Sequence, residues 1–378
     1  MTVFDLSLDE LRRRKSLKWQ TYPADVLPVW VAEMDCRPAP AVLEALTAAA
    51  ADGDTGYPVG RPYEVAFAEY AAEVWDWTFD PVTQAIPVPD VMQGIVAVLD
   101  LLGTRGAPVV INPPVYPQFY KYLTWADRPI IEVQQTEDGR IDLEALGAAF
   151  AGEGGLKPEA YLLCNPQNPQ GTAPTREELT VVARLAAEHG VRIVSDEIHA
   201  PLVSAPARHT PMLSIDGVQD AVIIISASKA WNLAGLKSAV AIGSPDIAGR
   251  LIAMPDEITH SISYLGVVTH VTALREGREW LADALGEIEA NRRLLSRLLN
   301  EQLPQVRYLP GEATYLAWLD CRDLGLEDPG RTFLNRGRVA LNNGLTFGAG
   351  GAGHVRMNLA TSPEIITDAV RRMAASID

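Results

Sequence analysis

The chain is short of cysteine, of basic charge and of long apolar runs, and each shortage excludes something. Its 378 residues hold three cysteines, Cys36, Cys164 and Cys321, far apart and odd in number. With no CxxC or CxxxC spacing, neither a disulfide framework nor a zinc site is expected, and a reducing cytosol is. Lysine and arginine number 32 against 48 acidic residues, a net charge of −16. That balance does not suit a surface that tracks nucleic-acid phosphates. No stretch approaches the roughly 18 apolar residues that span a bilayer. The opening Met1-Thr2-Val3-Phe4-Asp5 lacks a basic segment followed by an apolar one, so a cytoplasmic location is expected. Walker A, HExxH and GxSxG motifs are missing. The run Gly348-Ala349-Gly350-Gly351-Ala352-Gly353 fits G-x-G-x-x-G but precedes the strand-like HVRMNLA and opens no helix. A dinucleotide reading is rejected on that ground.

What is present is an ordinary globular composition, 48% apolar and 21% charged, at a length that suggests one large domain plus a smaller one. Short apolar runs end in polar residues, with amphipathic stretches between them. Ala160–Cys164 ends at Asn165, 191–194 (VRIV) at Ser195-Asp196, and Ala221–Ile225 at Ser226. Between the first two, Thr175 and Glu178 form a capping box behind Pro174, and Gly190 suits the position after the helix. Strand, helix, strand at this spacing predicts a largely parallel sheet whose ligands collect at the carboxyl ends of the strands. The Ala-rich run near 45–51 reads as helix. Residues 46–280 are expected to form the large domain. Residues 1–45 and 281–378, with a long helix over 281–303 and strands at 315–320 and 354–360, are expected to form a small α+β domain.

Several polar residues stand at those strand ends. Lys229, in Ser226-Ala227-Ser228-Lys229, follows a buried strand. Four residues alone fit a lysine that snorkels to solvent as well as a desolvated amine that condenses with an aldehyde. Asp196, in Ser195-Asp196-Glu197-Ile198-His199, fits a helix cap or a carboxylate facing a protonated pyridine. The loop Asn165-Pro166-Gln167-Asn168-Pro169-Gln170-Gly171 is a tight connection, or a rigid frame that aims Asn168 into the same crevice. Gly94, before the helix-like run 95–102, is a candidate anion site, with hydroxyls from Ser226 and Ser228.

Together these strings resemble the fold-type-I pyridoxal-phosphate (PLP) enzymes, and within them the cystathionine β-lyase-like branch of the class I/II aminotransferases. The matching pieces are KW (18–19), LPVWVAEMD (27–35), GY (56–57), PPVYPQF (113–119), NPQNPQG (165–171), SDEIH (195–199), SASKAWNLAGL (226–236) and FGAGGAGHVRMN (347–358). The resemblance implies an α/β fold with a mostly parallel central sheet, and pyridoxal 5′-phosphate as cofactor. Lys229 would carry the cofactor as a Schiff base and Asp196 would pair with its ring nitrogen. Asn168 would bond the ring oxygen with His199 nearby, and Tyr116 would stack on the ring. Gly94 and Ile95 amides, with Ser226, Ser228 and Lys237, would hold the phosphate. Tyr57 would reach the phosphate of a neighbouring subunit in a homodimer. Arg356 would clamp the substrate carboxylate, with Asn168 and Trp30 beside it. Departures from the pattern are Cys36, Gln118, Gln167, Gln170 and Lys237.

The implied reaction is α,β-elimination of cystathionine or a related cysteine S-conjugate to pyruvate, ammonia and a thiol. One alternative is an aminotransferase using a 2-oxo acid acceptor. Another is a PLP-binding regulatory protein with residual lyase activity. A small-molecule amino acid is the expected partner, with no nucleic acid, membrane or metal.

Overall fold

The computed structural model describes residues 2–377. At its centre is a seven-stranded sheet. In chain order its strands are β1 (Ala85–Val88), β2 (Val109–Ile111), β3 (Ile130–Glu132), β4 (Ala160–Cys164), β5 (Arg192–Asp196), β6 (Ala221–Ile225) and β7 (Ala239–Gly243). They lie side by side as β1-β7-β6-β5-β4-β2-β3. Only β7 runs antiparallel to its neighbours; the other pairings are parallel.

Burial on both faces explains why the central strands read as unbroken apolar runs. Side chains alternate between two cores with the period of a strand. Ala221, Ile223 and Ile225 face one cluster, together with Leu179 and Val182 of the Arg176–His189 helix. Val222 and Ile224 face the other, with Ile95, Val98 and Leu99 of the Val91–Leu102 helix. The Arg176–His189 helix has the expected Thr175–Glu178 capping box and ends on Gly190 at φ 69°.

A third cluster joins the two chain ends. Leu6, Leu11, Trp19, Leu27 and Val29 pack with Leu295, Leu299, Val355, Ile366 and Val370. Its sheet is antiparallel, ordered Asn342–Asn343, His354–Asn358, Leu316–Asp320, Arg307–Tyr308. The long helix runs Arg278–Gln302, three residues earlier than expected at its start. It contributes Trp280, Ala284 and Ile288 to the large-sheet core and Leu295 and Leu299 to the terminal one. The glycine-rich run 348–353 is a turn with positive φ at Gly348, Gly350 and Gly353, and it leads into a strand.

Two sequence expectations shift. Strand β5 extends to Asp196 itself rather than stopping at 194, because Asp196 still pairs with Cys164 on one side and Ile224 on the other. The helix expected from Ile95 begins at Val91, with Asp90 as its cap: Asp90 Oδ1 accepts from the Gln93 amide at 2.8 Å.

Candidate active site

The carboxyl ends of β4, β5 and β6 open onto one cavity of about 250 Å³. Asn168, Asp196, His199, Tyr116, Ser226, Ser228, Lys229 and Lys237 line it, with Ala32 and the helix start Asp90-Val91-Met92. Asp196 closes β5, and Lys229 lies on the turn four residues past the end of β6.

Lys229 donates to the Ala32 carbonyl at 3.0 Å. Burial, and after it the Arg356 charge, bring its amine down to about 8. Such an amine is neutral often enough near neutral pH to act as a nucleophile. Burial pushes Asp196 up to about 7, the backbone amide of Ile198 pulls it down, and the Glu197 charge raises it again. Oδ1 of Asp196 accepts from the Ile198 amide at 3.1 Å, and no cationic side chain bonds it among the described residues. A buried carboxylate without a cation is matched to a ligand that brings its own N–H⁺.

Arg356 lies on the terminal sheet and is buried. It donates to Asn168 Oδ1 at 2.9 Å and to the Trp30 carbonyl at 3.2 Å. Its guanidinium carbon sits 5.1 Å from the Phe347 ring centroid, and its Nε has no partner. Burial holds it down at about 10. His199, driven to about 3 chiefly by burial, stays neutral, and its buried Nδ1 is unpartnered. Burial raises Tyr116 to about 12, so it presents a neutral phenol.

The anion-binding assignment to Gly94 and Ile95 needs correction. The Gly94 amide donates to the Asp90 carbonyl at 2.9 Å, and Ile95 lies a residue deeper in the helix. Neither lines the cavity. The cavity wall is made instead by Val91 and Met92, in the first turn, where helix amides lack intrahelical partners. Gly94 is there for packing: a Cβ would lie 2.8 Å from Val88 Cγ2. Lys237 pairs with Asp90 at 2.9 Å beside this turn. Ser226 donates its hydroxyl to the Ser238 carbonyl at 2.7 Å and accepts from the Ser228 amide. Trp30 takes part through its carbonyl. Tyr57 is 89% exposed and lies outside the cavity, in a shallow recess with His260–Leu265.

Sequence reasoning missed Ala32, Asp90, Val91, Met92 and Tyr315. Asp90 and Gln93 were a readable helix-start signal, a capping residue followed three positions later by glutamine. Ala32 and Tyr315, whose hydroxyl donates to the same Ala32 carbonyl at 3.0 Å, had no local signature.

The residues fit pyridoxal phosphate. They supply a buried amine with depressed basicity, a buried carboxylate awaiting a cation, an unpartnered imidazole nitrogen and a helix N-terminus.

The model for aminotransferases of class I and II matches residues 27–373. A Mycobacterium tuberculosis protein named "Putative cystathionine beta-lyase" is 48% identical, over 99% of this chain and 97% of its own. The cystathionine beta-lyase of Corynebacterium glutamicum is 32% identical, over 97% and 98%. A crystal structure from Corynebacterium diphtheriae, described as "a putative plp-dependent beta-cystathionase", superposes with a TM-score of 0.94. It is 34% identical and covers 100% of this chain and 99% of that one. The chain belongs to the aminotransferase class I and II family and has its fold-type-I, PLP-dependent architecture.

Proposed function

We propose that the protein is a carbon–sulfur β-lyase that cleaves cystathionine or a related cysteine S-conjugate to pyruvate, ammonia and a thiol. The observation that carries it is the meeting of Lys229, Asp196 and Asn168 around one cavity, with Arg356 buried against Asn168. The family relationship supports the same reading.

Pyridoxal phosphate, when bound, serves as the electron sink for charge left on the substrate Cα. Lys229 is the residue that would attach it, and Asp196 would face its ring nitrogen. Asn168 and His199 would face its ring oxygen, and Tyr116 one ring face. Val91 and Met92 amides, Ser226, Ser228 and Lys237 would hold its phosphate. The Arg356 guanidinium binds the substrate carboxylate, turning Cα toward Lys229. The Lys229 amine takes the Cα proton and returns a proton to the departing sulfur. Tyr116 and His199, both neutral, keep the site free of competing charges.

We also propose a homodimer in which Tyr57 completes the partner's site. Its 89% exposure and that of neighbouring Val59, 88%, support this, since exposed apolar groups so close together suit an interface. The proposed division into a domain of residues 46–280 and one of 1–45 with 281–378 is supported by the separate terminal core. Its boundaries, however, fall inside the helices Pro40–Ala51 and Arg278–Gln302, and Val42, Ala284 and Ile288 pack with the large-sheet core. Three unpaired cysteines favour the cytoplasm.

Purified protein is expected to show a visible absorption band that Lys229→Ala removes, and to release pyruvate and thiol from L-cystathionine without any 2-oxo acid. Lack of the band sinks the cofactor assignment. Turnover only with an acceptor replaces the lyase with an aminotransferase.

A further inference from the structure

Directly behind Asp196 lies a carboxylate that the proposed chemistry does not use. Glu197 is 0% exposed. Its Oε1 accepts from Ser195 Oγ at 2.9 Å, from the Met212 amide at 2.9 Å and from Asn165 Nδ2 at 3.3 Å. Its Oε2 lies 2.8 Å from His209 Nε2. Four surrounding donors are what an ionised carboxylate requires.

The histidine does not neutralise it. His209 is buried and its Nδ1 has no partner. A cationic imidazole would leave an N–H there without an acceptor, whereas the neutral tautomer with its proton on Nε2 leaves only a lone pair. The pair therefore carries one negative charge, fully buried, next to Asp196. Asn165 opens the loop that bears Asn168, and its own amide donates to the Asp196 carbonyl at 2.9 Å. Glu197 thus joins three segments: the end of β5, the Asn165 loop and the 209–212 loop.

We propose that Glu197 is a positioning residue of the cofactor site, whose uncompensated buried charge makes Asp196 hold a proton more tightly while its hydrogen bonds fix Asp196 relative to Asn168. The inference rests on the reading of Asp196 as the ring-nitrogen partner. Groups facing Asp196 are Glu197 from its own segment, Lys229 from the neighbouring strand end, Cys164 from β4, and Tyr116. Of these, Glu197 and Lys229 act on Asp196 in opposite directions, Glu197 raising it and Lys229 lowering it. Asp196 is then ready to share a proton with a basic ring nitrogen rather than to sit as an unpaired anion before the ligand arrives.

The test is an infrared titration of the Asp196 carboxyl in cofactor-free protein, isolated by subtracting Asp196→Asn. In Glu197→Gln the midpoint should fall by about 1 pH unit. The loaded variant should show a shifted pH midpoint for its visible band. A purely structural role predicts lower thermal stability with the Asp196 midpoint unmoved, and that result overturns the proposal. Should Glu197→Gln fail to fold, the pair Glu197→Gln/His209→Gln, whose two amides still bond each other, carries the same measurement. A lowered midpoint in a protein that binds no pyridoxal phosphate would keep the coupling and refute the cofactor reading instead.

Discussion

Replacing Arg356 with methionine separates its role toward substrate from any role in holding the fold. The guanidinium is buried, and its bonds go to two neutral oxygens, Asn168 Oδ1 and the Trp30 carbonyl, with no carboxylate partner among the described residues. Its fall from 12.5 to about 10 corresponds to about 3 kcal/mol by which burial disfavours the charge. Hydrogen bonds from a charged donor return about 1.5–3 kcal/mol each, and the Phe347 face adds on the order of 1 kcal/mol. These contributions oppose one another. The cofactor-free variant should therefore lose about 1–4 kcal/mol in urea unfolding. The loss toward substrate is larger. Two charge-assisted bonds to the substrate carboxylate amount to about 3–6 kcal/mol. Pyruvate release from L-cystathionine should accordingly fall about a hundredfold to ten-thousandfold in kcat/KM. The visible band should persist. Unchanged kcat/KM would refute the carboxylate clamp. A stability loss of about 5 kcal/mol would show that Arg356 is one half of a buried pair instead.

Asp196 titrates near 7 in the fold against 3.8 when exposed. Between those values the folded state binds the proton that the unfolded chain has released. Its contribution is full below pH 3.8 and is lost as pH rises through about 7. Subtracting the Asp196→Asn stability curve from the wild-type curve, both cofactor-free, should expose that decline; a flat difference would contradict the raised carboxyl. In Gly94→Ala, the added methyl meets Val88 Cγ2 at 2.8 Å and Ile224 Cγ2 at 3.2 Å. Overpacking of about 1–3 kcal/mol should outweigh about 1 kcal/mol of helix propensity, so urea unfolding should show a net loss. A gain would remove the packing account of Gly94.

The parallel sheet was legible because β4 and β6 carry enough consecutive apolar residues to be buried on both faces, and because Thr175, Glu178 and Gly190 mark both ends of one helix. Lys229, Asp196 and Asn168 could be placed together since each stands at or just past a strand end, and neighbouring parallel strands bring their ends together. The helix start was misplaced by the glycine: Gly94 looked like an opening, whereas the opening is Asp90 and Gly94 is the site of closest helix–sheet approach. Ala32 could not be found, because a backbone carbonyl has no sequence signature of its own and its meeting with Lys229 spans 197 residues. Arg356 was recognisable by motif alone, since nothing local in a strand of the terminal sheet says that its side chain meets Asn168 on the large one.

The segment from Trp30 to Met34 offers its carbonyls in succession: Trp30 to Arg356, Val31 to Asn358, Ala32 to Lys229 and Tyr315, Glu33 to Lys18 and Asn358, Met34 to Arg14 and Asn232. Oxygens of this kind are insensitive to point substitution, because every amino acid brings the same one. Side chains along 30–34 can drift without touching the grip on Lys229 and Arg356. A one-residue insertion or deletion cannot be tolerated in the same way, since it hands each donor to the wrong acceptor. Among descendants of this sequence, variation here should therefore come as replacements and never as changes in length.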